Sequence, residues 1–236
     1  MVILTRRYEV TKTRLAILNE ILTDINNIRK SRGIFSALVH MWKFIKARLF
    51  YSKDNILFVR SLEDTLPDVR LVEGLTIREA TVDDLHLFQS IKKPSEIMIC
   101  KRLLEEKAIC LIALKDKQLA SYVWFASEVD PSVHLLYLPL AQDEGYSFDV
   151  YTLPAFRRQG VQSALHLRMF QLLRERGYRR VFTLVEVDNY ASLRMDSKLY
   201  QVIGRLIRIK VFRLIYFRYH PKLPGEARHI IKWLGI

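Results

Sequence analysis

The stretch "SFDVYTLPAFRRQGVQSAL", residues 147–165, is the part of the sequence that decides the fold. Its first half has the alternation of a strand, and the pattern after Gly160 predicts a helix over residues 160–176. The first N–H groups of a helix lack intrahelical partners and carry partial positive charge. Arg157 and Arg158 add charge, and a glycine lets an anion approach the backbone closely. The stretch therefore predicts a site for a pyrophosphate or a similar anion.

The spacing of this turn excludes the two commonest phosphate-binding motifs. It is neither G-x-x-x-x-G-K-[ST] nor G-x-G-x-x-G, so neither a P-loop nor a dinucleotide-binding fold is supported. The two cysteines, Cys100 and Cys110, lie in apolar runs, which favours buried free thiols over a disulfide. No residues have metal-ligand spacing, and we expect no metal.

Strands and helices alternate on both sides of the opening stretch. The sequence predicts a strand at "LTIRE", a helix from Thr81 to about Ile91, a helix at "PSEIMICKRLLEEK", a hairpin turning at "KDKQ" and a strand at "SVHLLYLPL". After residue 176 it predicts a strand at "RRVFTLVEV", a helix at "NYASLRMDSKLY" and one or two strands at "VIGRLIRIKVFRLIYFRYH". This order indicates an α/β (α+β) domain with a mixed sheet.

The N-terminal part of the chain has a different character. Residues 8–30 and 34–50 have helical periodicity, and "DNILFVRSLEDTLPDVRLVEG" is an extended strand and connector. The helix over 34–50 places Lys43, Lys46 and Arg48 among apolar residues. Such a helix can lie in a membrane interface, and it can equally pack on the main domain as part of a helical hairpin.

The positive charge of the chain is concentrated at its two ends. The net charge is +13, of which residues 1–60 carry +8 and residues 201–236 carry +7, while residues 61–200 carry −2. Charge placed in this way indicates an anionic partner, unless it serves only solubility. The sequence has neither an evident signal peptide nor a transmembrane stretch. We therefore expect a cytoplasmic protein, with peripheral attachment to the inner face of a membrane as an option.

Three segments together resemble the GNAT acyltransferase superfamily. "RRQGVQSAL" resembles its R/Q-x-x-G-x-G/A pyrophosphate signature, and "LTIREATVDDL" resembles its opening strand and helix. "VEVDNYASLRMDSKLYQVIGR" resembles the strand, asparagine and closing helix of the family. The resemblance runs from about Gly74 to Arg218. It implies a mixed, mostly antiparallel central sheet flanked by helices over 63–220, with a basic helical extension at 1–62 and a short tail at 221–236.

The resemblance also implies a reaction and a co-substrate. The family moves an acyl group from acetyl-CoA, or another acyl-CoA, directly to an amine, so we expect an N-acyltransferase. The thioester oxygen would be bound by the backbone of Val150–Thr152. The residues that the resemblance assigns to CoA are Val150, Tyr151, Thr152, Arg157, Arg158, Gln159, Gly160, Val161, Gln162, Ser163, Asn189 and Ser192.

The catalytic candidates lie partly where the chain departs from the family pattern. Asp149 and Glu186 interrupt apolar strands and are candidate bases for the amine. Asp196 stands seven residues after Asn189, where the family often has a tyrosine that protonates the leaving thiolate. An aspartate can do this only if it is desolvated. Tyr200, on the same helical face, is the alternative acid or a core residue.

Another departure leaves the function itself open. Gln162 replaces the second small residue of the signature, and its side chain crowds the turn. The alternatives to an enzyme are an inactive GNAT-fold protein that binds CoA or a partner, and a module that binds anionic lipid or nucleic acid. The acceptor of an enzyme would be a small-molecule amine or a glycan- or lipid-linked amine. An anionic membrane surface, bound through the helix over 34–50, and a homodimer are further expected partners; nucleic acid is the least favoured.

Overall fold

The computed structural model describes residues 22–23, 25–31, 33–36, 38–39, 41–42, 50–66, 72–128, 140–211 and 214–221. The described residues between 22 and 42 are helical. The strand predicted at "SVHLLYLPL" lies almost entirely outside the described residues.

The strands and helices follow one another in an order close to the predicted one. The strands are β1 (Phe50–Ser61), β2 (Leu75–Glu79), β3 (Ile109–Lys115), β4 (Gln118–Ala126), β5 (Glu144–Thr152), β6 (Arg180–Glu186), β7 (Gln201–Val211) and β8 (Leu214–Pro221). The α-helices are α1 (Pro94–Glu105), α2 (Val161–Glu175) and α3 (Tyr190–Leu199), and 3-10 helices span Val82–Phe88 and Pro154–Phe156. The segment expected to be an α-helix from Thr81 to Ile91 is thus a shorter 3-10 helix.

The described strands form an eight-stranded sheet in the order β2-β3-β4-β5-β6-β1-β7-β8. Neighbouring strands are antiparallel except β5 and β6, which are parallel. This confirms the mixed, mostly antiparallel sheet. The parallel pair requires a crossover, and α2 supplies it.

The position of β1 corrects the expected domain boundary at residue 62. This strand lies inside the sheet, between β6 and β7, and pairs with both along its length. Leu57 and Phe58 are each 1% exposed and belong to the cores on opposite faces of the sheet. An apolar run buried on both faces is typical of a central strand. The helix predicted over 34–50 therefore cannot reach residue 50, where β1 begins.

Two hydrophobic cores cover the two faces of the sheet. The 3-10 helix at Val82–Phe88 and α1 pack on one face, where Phe88, Cys100 and Trp124 are buried. Helix α2 packs on the other face, with Leu165 and Phe170 in its core and the end of α3 beside it. Both cysteines are free and buried. Between the two helical layers, the sheet can open at the ends of β5 and β6.

Candidate active site

The centre of the sheet splits where β5 and β6 stop pairing. The two strands pair only over Glu144–Ser147 and Arg180–Thr183. Beyond these residues β5 continues beside β4 to Thr152, and β6 continues beside β1 to Glu186. On the side of the split, the backbone of Asp149–Thr152 has no strand partner in the described sheet. Backbone N–H and C=O groups left in this way require another partner.

A β-bulge shapes the β5 wall of this split. The register between β4 and β5 shifts between Tyr122 and Trp124, which pair with Tyr151 and Phe148. One extra residue is thereby accommodated, and Asp149 adopts a φ of +44°. Aspartate tolerates this left-handed region better than most residues do. The bulge places Val150–Thr152, the predicted donors to the thioester oxygen, next to the opening.

The side chain of Asp149 is held by two groups from other elements. The Lys92 ammonium lies 2.8 Å from its Oδ2, and the Tyr122 hydroxyl donates to its Oδ1 over 3.1 Å. Burial of Lys92 opposes its charge, but the Asp149 carboxylate outweighs this cost, and the pKa of Lys92 lies above its ordinary value. The Lys92 side chain is 9% exposed and that of Asp149 is 43% exposed. The carboxylate is therefore the part of the pair that a ligand can reach.

The turn that follows β5 leads directly to the N-terminus of α2. Gly160 is the N-cap residue with a φ of +79°, which a residue with a Cβ adopts only with strain. A Cβ at this position would lie 3.6 Å from Val72 Cγ2, an ordinary contact, so the backbone conformation is what requires glycine. Ala164 N–H donates to the Gly160 carbonyl over 3.0 Å, which is the first bond of the helix.

The N–H groups of Val161, Gln162 and Ser163 precede this bond and have no partner in the part of the chain that the structure describes. They form the predicted anion site at the end of a 15-residue helix. The two arginines of the turn differ in role. Arg157 donates from Nε to the Thr152 carbonyl over 3.0 Å and lies over the Tyr151 ring. Arg158 is exposed and has a φ of +62°.

Gln159 and Gln162 also contribute to the local structure of the turn. The Gln159 amide donates to the Ala155 carbonyl over 2.8 Å. The Gln162 carbonyl accepts from Nδ1 of His166 over 2.9 Å, provided that this nitrogen carries the proton. His166 is completely enclosed, and burial lowers its pKa to about 4, so the ring is neutral at pH 7.

A buried polar cluster lies between α2, α3 and the last paired residue of β5. It consists of Ser147, Asp196 and Tyr200, each at most 6% exposed. The hydroxyls of Ser147 and Tyr200 lie near each other without completing a hydrogen bond, and neither has another partner in the described chain. Burial raises the pKa of the Asp196 carboxyl to about 7. Burial also raises the pKa of the Tyr200 hydroxyl well above its ordinary value, and the nearby Asp196 carboxyl adds to this effect.

The remaining predicted residues lie at the end of β6 and the start of α3. Glu186 is the last residue of β6, on the opposite wall of the split from Asp149. Asn189 is the N-cap of α3, and its Oδ1 accepts the N–H of Ser192 over 3.2 Å. Asn189 thus stabilises the helix whether or not it also contacts CoA. In the described residues no three His, Cys, Asp or Glu side chains are grouped as a metal site.

Two residues of the site were missed by the sequence analysis. Lys92 precedes α1 and Tyr122 lies on β4, yet both meet Asp149. Lys92 and Tyr122 precede Asp149 in the sequence by 57 and 27 residues, respectively. The only available signal was Asp149 itself, since a carboxylate within an apolar strand requires a partner.

The chain belongs to the acetyltransferase (GNAT) family, because the model of that family matches residues 76–199, more than half of the chain. The match extends from β2 to the end of α3 and includes the split, the turn and two members of the buried cluster, Ser147 and Asp196. It begins after β1. No curated protein matches the chain significantly.

Solved structures resemble this chain, and one of them, with a TM-score above 0.5, shows the same fold. A protein from Drosophila shares 16% identity over 74% of this chain, with a TM-score of 0.52. This chain spans 57% of the length of that protein. An N-acetyltransferase from Staphylococcus aureus Mu50 shares 17% identity, with a TM-score of 0.43, and the match covers 53% of this chain and 82% of that one. A ribosomal-protein-alanine N-acetyltransferase from Brucella melitensis shares 19% identity, with a TM-score of 0.43 and coverages of 54% and 92%.

Proposed function

We propose that this chain is an N-acyltransferase that moves an acetyl group, or a related acyl group, directly from CoA to an amine. The observation that carries the proposal is the continuity of the split with the anion site. The unpaired edge of β5 ends at Thr152, and eight residues later Gly160 begins α2 with free N–H groups. An elongated ligand with an amide-containing arm and a pyrophosphate would satisfy both sets of groups.

The residues present fit CoA at each part of this path. The N–H groups of Val161–Ser163 and the exposed Arg158 would hold the pyrophosphate. The edge of Asp149–Thr152 would pair with the amides of the pantetheine arm, as a strand would. The unpartnered hydroxyls of Ser147 and Tyr200 lie where β5 and β6 separate, and would be satisfied by polar atoms entering the split.

The acceptor amine must lose a proton before its nitrogen can attack the thioester carbon. Asp149 and Glu186, on opposite walls of the split, are the candidate acceptors of that proton. Lys92 and Tyr122 hold the Asp149 carboxyl in place, and its exposed oxygens would attract a cationic amine. A backbone N–H in Val150–Thr152 would stabilise the carbonyl oxygen as the C–N bond forms.

The leaving sulfur must be protonated or stabilised when the C–S bond breaks. Asp196 stands where the family often has its acid, and with a pKa of about 7 it is about half protonated at neutral pH. An aspartate can act as this acid only if it is desolvated, and Asp196 is buried. Tyr200 is the alternative proton donor, since its hydroxyl is buried and has no acceptor in the described chain. We propose a small-molecule, glycan-linked or lipid-linked amine as the acceptor.

A second candidate function is that of a protein with this fold that binds CoA without turnover. Such a protein would tolerate the ion pair at Asp149 and the side chain of Gln162 in the turn, and these two features favour it. Thermal unfolding with and without acetyl-CoA separates binding from its absence, and thiol release in a panel of amines then separates turnover from binding. A ligand at a hundred times its Kd stabilises the folded state by about 2.7 kcal/mol.

Gly160→Glu is the test variant and Gly177→Glu is its matched control. Both glycines have a positive φ, +79° and +83°, at the start and the end of α2. Both variants lower the melting temperature through backbone strain, but only Gly160→Glu places a carboxylate in the anion site. We expect acetyl-CoA to raise the melting temperature of the wild type and of Gly177→Glu, and not of Gly160→Glu. An equal shift in all three proteins would place CoA elsewhere and overturn the proposal.

A further inference from the structure

The helical residues between Gly33 and Trp42 expose an apolar surface. Six large apolar side chains of this helix are at least 38% exposed. We call them the apolar helical face: Ile34 (68%), Phe35 (77%), Leu38 (51%), Val39 (39%), Met41 (38%) and Trp42 (66%). Elsewhere in the described chain, exposed side chains of this kind occur singly, at Leu22, Val82 and Tyr190.

The six side chains form one continuous face of the helix. Their positions make two adjacent stripes, each with spacings of four and three residues, which is the period of one helix side. Ser36, which belongs to neither stripe, is less exposed than any of the six. The apolar side of this helix therefore faces solvent. Soluble monomers seldom leave such a face uncovered.

The charge of the sequence that contains this face indicates what covers it. Residues 25–53 contain seven cations and no acid, so this segment has a net charge of +7. The cations are Arg29, Lys30, Arg32, Lys43, Lys46, Arg48 and Lys53. Each Lys or Arg adds attraction to an anionic bilayer, and apolar side chains gain from entering its acyl boundary.

We propose that the apolar helical face docks this protein onto an anionic phospholipid surface. The helix would lie in the plane of the interface, with Trp42 and Phe35 among the headgroups and upper acyl chains and the cations near the lipid phosphates. No described helix is long and apolar enough to cross a membrane. Two copies of the face would bring two segments of +7 together, so a second copy fits it poorly. A nucleic acid would use the cations but would leave the aliphatic residues exposed. The proposal does not depend on the acyltransferase activity.

Cosedimentation of the full chain with vesicles tests the proposal. We expect binding to vesicles of phosphatidylcholine with phosphatidylglycerol, and at least about tenfold weaker binding to phosphatidylcholine alone. Phe35→Ser combined with Trp42→Ser removes two inserted side chains, which lowers partitioning at least about tenfold. Val82→Ser combined with Tyr190→Ser is the matched control, because it removes two exposed apolar side chains outside the face. Unchanged melting temperatures show that both variants fold.

Tryptophan emission locates the contact. Trp42→Phe keeps the face apolar, so this variant should still sediment with anionic vesicles but lose the blue shift that the wild type shows on binding. Equal binding by the Phe35→Ser/Trp42→Ser variant and the wild type would overturn the proposal, as would a blue shift that persists in Trp42→Phe. Two other results would also overturn it. One is binding to homopolymeric RNA with no binding to vesicles. The other is light scattering that shows a dimer dissociated by the double substitution.

Discussion

At the residue scale, the most informative group is Asp196, a buried carboxyl that has no side-chain hydrogen bond in the described part of the chain. Its burial raises its pKa to about 7, whereas an aspartate in the unfolded chain titrates near 3.8. The folded state therefore holds this proton more tightly than the unfolded state does. A side chain that destabilises the ionised protein in this way is typical of a functional site, and Asp196 lies beside the unpartnered Tyr200 hydroxyl.

Asp196→Asn should stabilise the protein in a pH-dependent way. Below the unfolded pKa both forms of the residue are neutral, so the variant and the wild type should be similar. As the pH rises from about 3.8 to about 7, the unfolded wild type releases this proton while the folded state retains it, so the wild type loses stability and the variant does not. The difference should reach a few kcal/mol and level off above about pH 7, since three pKa units correspond to about 4 kcal/mol. Urea unfolding between about pH 4 and pH 8 measures it.

Asp188→Asn provides the control for this prediction, because Asp188 is exposed in the turn before α3. Its stability should follow that of the wild type at every pH. The buried His166 has a lowered pKa and destabilises the folded state as the pH falls from about 6.5 toward 4, but it does so equally in all three proteins. Wild-type and Asp196→Asn curves that stay parallel would show that the carboxyl is not desolvated.

The sequence named candidate residues for the site but not their environment. The turn at Arg157–Ser163 was named from its residue pattern, Asp149 because it interrupts an apolar strand, and Asp196 from the resemblance to the GNAT family. The pairing of Asp149 with Lys92 could not be predicted, because it depends on how α1 and β5 pack across the sheet. The bulge at Asp149 could not be read either, since local alternation does not record which residue of a strand is unpaired.

At the element scale, β1 shows where local patterns stop being informative. The strand itself was predicted from "NILFV", but its partners were not, because β6 and β7 follow it by more than a hundred residues. Strand order depends on long-range pairing that a single sequence does not specify. The family match begins after β1, at residue 76, so it also gave no indication of this strand.

The interior position of β1 predicts large effects from its core residues. Leu57→Ala and Phe58→Ala should each lower the free energy of unfolding by roughly 3–5 kcal/mol, because both side chains are 1% exposed and leave cavities. The two cavities lie in different cores, on opposite faces of the sheet. The two losses in the free energy of unfolding should nevertheless be similar in size. Urea unfolding measures the change, and Val82→Ala, at an exposed apolar side chain, is the control. Losses no greater than that of the control would mean that β1 is a detachable extension.

At the scale of the whole molecule, two parts of the N-terminal region differ in what they do. The described residues from 22 to 42 are helical and expose apolar side chains, whereas residues 50–61 complete the sheet. The charge follows this division, since residues 25–53 carry +7 and the folded middle of the chain is nearly neutral. The domain boundary expected at residue 62 therefore joins a proposed membrane-docking segment to a strand of the central sheet.

Two truncations of the chain should separate these parts. Removal of residues 1–48 leaves β1 intact, so we expect cooperative unfolding and an acetyl-CoA shift like that of the full chain, together with loss of vesicle binding. Removal of residues 1–62 takes a strand from between β6 and β7 and exposes their hydrogen-bonding edges and two apolar cores. This variant should aggregate or unfold without a cooperative transition, as measured by circular dichroism and light scattering. If it instead folds and binds acetyl-CoA, β1 is dispensable. If the shorter truncation keeps its vesicle binding, the docking surface lies outside residues 1–48.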